Sequence, residues 1–223
     1  MRTGAPASFR YNHLLQGLLG WYILIWVVLA ISPVDRRDWF LENILAVLLV
    51  GTLVATYRVF PFSDFSYVLI TLFLTLHAIG AHYTYAEVPL GFSMKSLFEM
   101  ERNHFDRVAH FASGLLLTYP IRELLLRKAQ VRGFWAYCFP VVTLLALSGF
   151  FEVIESWVAQ IVSPELGDAY LGTQGDIWDA QKDMTAALSG AILSMVLTAA
   201  GSARRPSPAA IREVQPRRTG PPS

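Results

Sequence analysis

Six apolar runs set apart by short polar breaks organise the chain: residues 14–31, 43–57, 65–81, 106–126, 134–162 and 183–200. Most are close to the length that crosses a hydrocarbon core, about 20 residues of helix for about 30 Å. The pattern predicts an all-α fold, a polytopic transmembrane helix bundle of about six spans in a single domain over 14–200. The breaks read as a charged turn from Pro33 to Asp38, an end to the second span at Arg58 and Pro61, and a Pro/Gly loop from Ser163 to Leu171. Within the loop from Val88 to Arg102, Met94 to Met100 reads as a short amphipathic turn at the membrane interface. Residues 1–13 form a short cytoplasmic segment, and 201–223, rich in Pro, Arg and Ser, a disordered basic cytoplasmic tail. The first run competes with a signal peptide, since Val28-Leu29-Ala30 resembles a cleavage site, but it is longer than a usual signal h-region and reads as a retained helix.

Composition agrees with the pattern. Of 223 residues, 54% are hydrophobic and 16% charged, against about 25% charged in soluble domains, and the mean hydropathy is +0.42. A net charge of +1 says nothing about nucleic acid, but no basic patch with interleaved aromatics points to such a partner. The one cysteine, Cys138, rules out an intrachain disulfide. With six spans, twelve of the eighteen Lys and Arg fall on one side and six on the other, so both termini are expected in the cytoplasm.

The chemistry gathers at the opposite, outer level. Gly172 to Asp183 carries Asp176, Asp179 and Asp183 at i, i+3, i+7, the spacing of one helical face, immediately before the last apolar run. The same level holds His77, His82, Tyr83, Tyr85 and Glu87, then His104, Asp106, Arg107 and His110, then Glu152 and Glu155. The inner halves of these spans carry almost nothing ionisable, and ionisable groups in spans normally face the bundle interior and serve function. Asp106/His110, Glu152/Glu155 and Asp179/Asp183 are helical-face pairs, the way bundles assemble metal sites. Carboxylates with imidazole suit Zn or Mn, and carboxylates alone suit Mg.

Simpler roles compete for each residue. Asn103-x-x-Asp106 resembles a capping box and Asp176 reads as a cap of the last helix. His82, Tyr83 and Tyr85 suit an interface belt, and Lys95, Arg102 and His104 a loop. An internal salt-bridge network built on Arg107 and Lys182 is a further reading. Two bases do not balance Asp106, Glu152, Glu155, Asp176, Asp179 and Asp183, so a cation, protons or a cationic ligand is needed to make up the difference.

HAIGAHYTYAEVP, RNHFDRVAHF, FEVIE and LGTQGDIWDAQKDM, in that order, resemble the YjdF family of bacterial inner-membrane proteins over about residues 10 to 200. The resemblance implies a compact multi-pass protein of the bacterial inner membrane and brings no activity with it. DRVAHF and the later GDIWDAQKDMTAALSGA are also similar to the VanZ-like pattern, which implies a link to the cell envelope. There Asp106, Arg107, His110, Asp179 and Asp183 take matching positions, with Asp183 where that pattern has Asn.

The leading expectation is an outward-facing site for a divalent metal (Zn, Mn or Mg), serving a hydrolase or transferase of an envelope lipid or other amphiphile in the bilayer. His110, Asp179 and Asp183 are the expected ligands, with Asp106, Asp176 and His77 as further candidates. Glu152 or Glu155 is the expected general base for a metal-bound water, and Arg107 the anchor of an anion. A proton- or cation-coupled transporter and a non-catalytic structural or accessory protein are the alternatives.

Overall fold

Eight α-helices follow a short 3-10 turn in the computed structural model, which describes residues 9–203. They are α1 (His13–Leu29), α2 (Arg36–Thr56), α3 (Asp64–His82), α4 (Pro89–Leu97), α5 (Phe105–Arg127), α6 (Trp135–Ile161), α7 (Pro164–Leu171) and α8 (Asp179–Ala203). No strand occurs among the described residues. Four helices, α2, α3, α6 and α8, are long and apolar enough to cross a membrane, and α1 is a shorter apolar helix. α5 has the length, 23 residues, but carries Asp106, Arg107, Arg122, Glu123 and Arg127. The expected cytoplasmic arm and disordered tail lie mostly outside the described residues.

Several boundaries differ from the sequence reading, for local reasons. The expected charged turn from Pro33 to Asp38 is largely the start of α2. Asp35 caps that helix, its carboxylate accepting from the amides of Arg37 at 2.7 Å and Asp38 at 3.1 Å. Helix therefore begins seven residues before position 43 and carries Asp38 and Glu42 into the bundle. The expected Pro/Gly loop from Ser163 is helix α7, capped by the Ser163 hydroxyl, opened by Pro164 and closed by Gly172 at φ 59°. The interfacial turn expected at 94–100 overlaps α4, which begins earlier at Pro89 and ends at Leu97. α8 starts at Asp179, so Asp176 lies in the turn before it and not on the helical face predicted for all three acids.

α5 and α8 form the central pair, in close contact where one helix or the other has a glycine. Gly114 faces the carbonyl of Ala187, and Gly190 faces the carbonyl of Phe111. Small residues at such crossings let helix backbones approach closely in lipid, where packing replaces the hydrophobic effect between helices. Leu144 of α6 packs with Ala187 and Ala191 of α8, and Leu117 and Ile121 of α5 cover them. A second core joins Tyr22, Ala46, Ile70 and Leu74 of α1, α2 and α3. α1 is tied further by Trp26 Nε1 donating to Asn43 Oδ1 at 2.6 Å. Outward faces are apolar, with Val142, Phe150, Val196 and Leu197 exposed, as a bilayer-facing surface requires.

Candidate functional site

The starts of α2, α5 and α8 and the ends of α3 and α6 lie at one end of the bundle, joined there by α4 and α7. Alternating helix direction produces this, and it gathers residues distant in sequence.

The loop before α5 is locked to the loop before α8. The Asn103 amide N–H donates to Gln174 Oε1 at 3.0 Å, and Gln174 Nε2 donates back to the Asn103 carbonyl at 2.9 Å. Asn103 Oδ1 accepts from the Phe105 amide at 3.0 Å, so the turn is closed from Asn103 and not by the expected capping box, and His104 is the N-cap. Arg102 enters the site from this loop. It is buried and donates to Asp179, to the Thr173 carbonyl at 2.8 Å and to the Gly172 carbonyl at 3.1 Å. The loop placement expected for Arg102 is therefore correct for its backbone and wrong for its side chain.

Arg107, on the first turn of α5, donates through Nη2 to Asp176 Oδ2 at 2.8 Å and Asp179 Oδ1 at 2.7 Å, and its Nε lies 3.6 Å from Asp183 Oδ1. Lys182 Nζ reaches Asp176 Oδ2 at 2.7 Å. The Lys182 ammonium and the Arg107 guanidinium hold the Asp176 carboxyl well below the usual carboxylate range. Burial and the nearby charges of Arg107 and Arg102 push the His104 imidazole down. Asp176 and Asp179 are thus occupied by bases.

Asp106, on the same turn of α5 as Arg107, and His110 and Asp183, each about a turn further along its helix, bring one ligand atom each to within 4.8 Å of one another. His110 Nε2 stands 3.6 Å from Asp106 Oδ1 and 3.7 Å from Glu152 Oε1. Ligands at 2.0–2.2 Å around a tetrahedral zinc stand about 3.4 Å apart. Asp183 Oδ1 and Glu152 Oε1 are buried and have no hydrogen-bond partner among the described residues. Such atoms carry a desolvation cost that a cation or proton removes.

The third layer was largely illegible in the sequence. Asp38 and Glu42, an i, i+4 pair on α2, are buried, and both oxygens of Asp38 and Oε2 of Glu42 lack hydrogen-bond partners among the described residues. His77 faces them, with Nε2 3.2 Å from the Glu42 carbonyl and Nδ1 2.5 Å from the Tyr85 hydroxyl. With Tyr85 donating to Nδ1, Nε2 carries the proton and donates to Glu42. Both ring nitrogens are then used, which leaves His77 no lone pair for the metal role expected of it. Tyr85 belongs to this network and not to an interface belt; burial pushes its phenol up. Glu155 is buried, and both it and Glu152 interact electrostatically with Asp106. Eight carboxylates, Asp38, Glu42, Asp106, Glu152, Glu155, Asp176, Asp179 and Asp183, here face three bases, Arg102, Arg107 and Lys182. The sequence signal for Asp38 and Glu42 was an acid pair at helical spacing just before an apolar run. Arg102 had no such signal.

A family model described as predicted membrane protein (DUF2238) matches residues 14–204. The chain is 38% identical over 177 residues to the inner membrane protein YjdF of Escherichia coli (strain K12), covering 79% of this chain and 84% of that relative. No solved structure matches.

Proposed function

The chain belongs to the DUF2238 family of predicted membrane proteins, and from that premise we propose that it is a multi-pass bacterial inner-membrane protein whose acidic end faces outward and holds a divalent cation for hydrolysis or group transfer on a membrane amphiphile. The distribution of basic residues supports that orientation, with about six spans and both termini cytoplasmic. One observation carries the reading: the convergence of Asp106, His110 and Asp183 from two helices, beside buried oxygens that lack partners.

The roles follow from position. Asp106, His110 and Asp183 would hold the cation, and the mixed oxygen and nitrogen set suits Zn or Mn better than Mg. Glu152, next to His110, would serve as the general base, and a bound cation would supply the Lewis acidity that makes a water easier to deprotonate. Glu155 and Glu42 shape the inner wall. Asp176, Asp179, Arg102 and Arg107 position α5 against α8. Arg107 is held on both sides by carboxylates, so the anchoring of an anion passes from it to the cation.

Elemental analysis of the detergent-purified protein tests this. The wild type is expected to retain about one equivalent of metal, and Asp183→Asn and His110→Gln to lose it while remaining folded. Wild-type protein without metal after purification in Zn- and Mn-supplemented buffer overturns the reading. The buried Asp38 and Glu42 pair favours a second reading, proton- or cation-coupled transport. Substrate-independent proton uptake by vesicles, abolished in Glu42→Gln, is its expected mark.

A further inference from the structure

Beneath the Asp106–His110–Asp183 cluster the bundle holds a half-open cavity of about 340 Å³, which begins at Glu42, Asp106, His110 and Glu155 and continues to Phe62 and Leu124. Its wall on α5 runs from Asp106 to Leu124, about 27 Å of helix at about 1.5 Å per residue. Past the first turns the lining is nearly all hydrocarbon, with Leu49 and Leu53 from α2, Ile70 and Leu74 from α3, and Leu117 and Ile121 from α5. The volume is at the lower end of small-molecule pockets, about 300–1,000 Å³, while the length approaches the roughly 30 Å of a bilayer core. That shape suits a chain and not a rounded ligand. Left empty, an apolar space of this size forfeits packing along four helices.

The helix arrangement also provides a way in. α2 packs on α3 and α7, and α6 packs on α5, α7 and α8. α2 and α6 both line the cavity, and Leu147 of α6 belongs to that lining while being 54% exposed. An opening along the seam between these two helices would connect the cavity with the lipid.

We infer that the cavity binds one hydrocarbon chain of a membrane amphiphile, which enters between α2 and α6 and leaves its polar group at the acidic end. Charge selects that polar group. Arg102 and Arg107 are not in the lining, whereas Glu42, Asp106, Glu155 and His110 are. A phosphate or carboxylate would meet repulsion there unless a divalent cation held by this end offset the charge. For the nature of the polar group, though not for the chain, the inference rests on the proposed function.

The test uses the full-length protein in phosphatidylethanolamine/phosphatidylglycerol vesicles with two photoactivatable probes: hexadecanol with a mid-chain diazirine, whose neutral head needs no cation, and a diacyl phosphatidylglycerol with the same group on one chain. After illumination, adducts are mapped by mass spectrometry. Adducts at Leu49, Leu117 and Ile121, several-fold above those at bilayer-facing Val142 and Val196, are expected from at least one probe. The probe that gives them identifies a free or an esterified chain as the source. Leu117→Trp is expected to reduce interior labelling at least fivefold and Leu117→Met to leave it unchanged; Ser113→Phe serves if Leu117→Trp does not fold. Labelling confined to the outer surface overturns the inference. Metal content measured on the same samples separates the two ideas: interior adducts without metal sustain the chain site and overturn the cation, and metal with surface adducts alone does the reverse.

Discussion

Arg107 Nη2 donates to Asp179 Oδ1 at 2.7 Å, and this contact ties the first turn of α5 to the first turn of α8. Asp179 also accepts from Arg102, so one buried carboxylate neutralises parts of two guanidinium groups. Removing one partner of a buried ion pair costs about 3–5 kcal/mol, because the other is left uncompensated. Asp179→Asn is therefore expected to lower thermal stability, followed by tryptophan fluorescence in detergent, far more than Asp183→Asn does. If Asp179→Asn melts like the wild type, the ion-pair assignment is wrong.

Asp176 ties the turn before α8 to Lys182 and Arg107, which hold its carboxyl well below the usual range. A group depressed in the folded state stabilises above its unfolded value, about 3.9, and loses that contribution as pH falls toward the folded value. The stability gap between wild type and Asp176→Asn is expected to be constant from about pH 8 to pH 5 and to shrink below about pH 4. Unfolding midpoints across that range check it; a gap that widens in acid contradicts the assignment.

Close approach of α5 and α8 predicts a contrast among glycines. A Cβ at Gly190 lies 2.8 Å from the Leu115 amide nitrogen, whereas one at Gly51 meets nothing within 4 Å. Gly190→Ala is expected to cost about 1–3 kcal/mol through overpacking and Gly51→Ala nothing or a slight gain. Equal effects of the two on unfolding would remove the tight crossing from the fold.

At the end of the bundle remote from the acids, Glu123 accepts from the Ser63 hydroxyl at 2.7 Å, the Ser66 hydroxyl at 2.5 Å and Arg127 Nη1 at 2.5 Å. Hydrogen bonds to a charged acceptor are each worth about 1.5–3 kcal/mol, but Arg127 is partly exposed and its share is smaller. Glu123→Gln turns one acceptor into a donor facing donors. It is expected to lower the melting temperature by several degrees without changing metal content, since this clamp is separate from the acidic end.

Membrane placement was legible in the sequence because lipid imposes a single requirement, long apolar helices, that local composition expresses. The level at which ionisable groups gather was legible for the same reason: charges are costly in hydrocarbon, so those retained in apolar runs stand out. Asp106, Arg107, His110, Glu152, Glu155, Asp179 and Asp183 all carried that contrast. Asp38 and Glu42 did not, because an acid pair next to Arg36 and Arg37 looks like an interfacial turn until Asp35 caps a helix through it.

Only the tertiary structure decided which acids are spent on bases and which face one another. Arg102 lies in a polar loop, where sequence context gives no reason for burial; the Asn103–Gln174 lock turns it inward onto Asp179. That single placement moves Asp179 from the candidate ligands to the ion pairs and leaves Asp106, His110 and Asp183 together. The cavity below them was equally out of reach of the sequence. A leucine on a spanning helix reads the same whether it faces lipid, a neighbouring helix or a cavity, and the distinction arises only from how the helices pack.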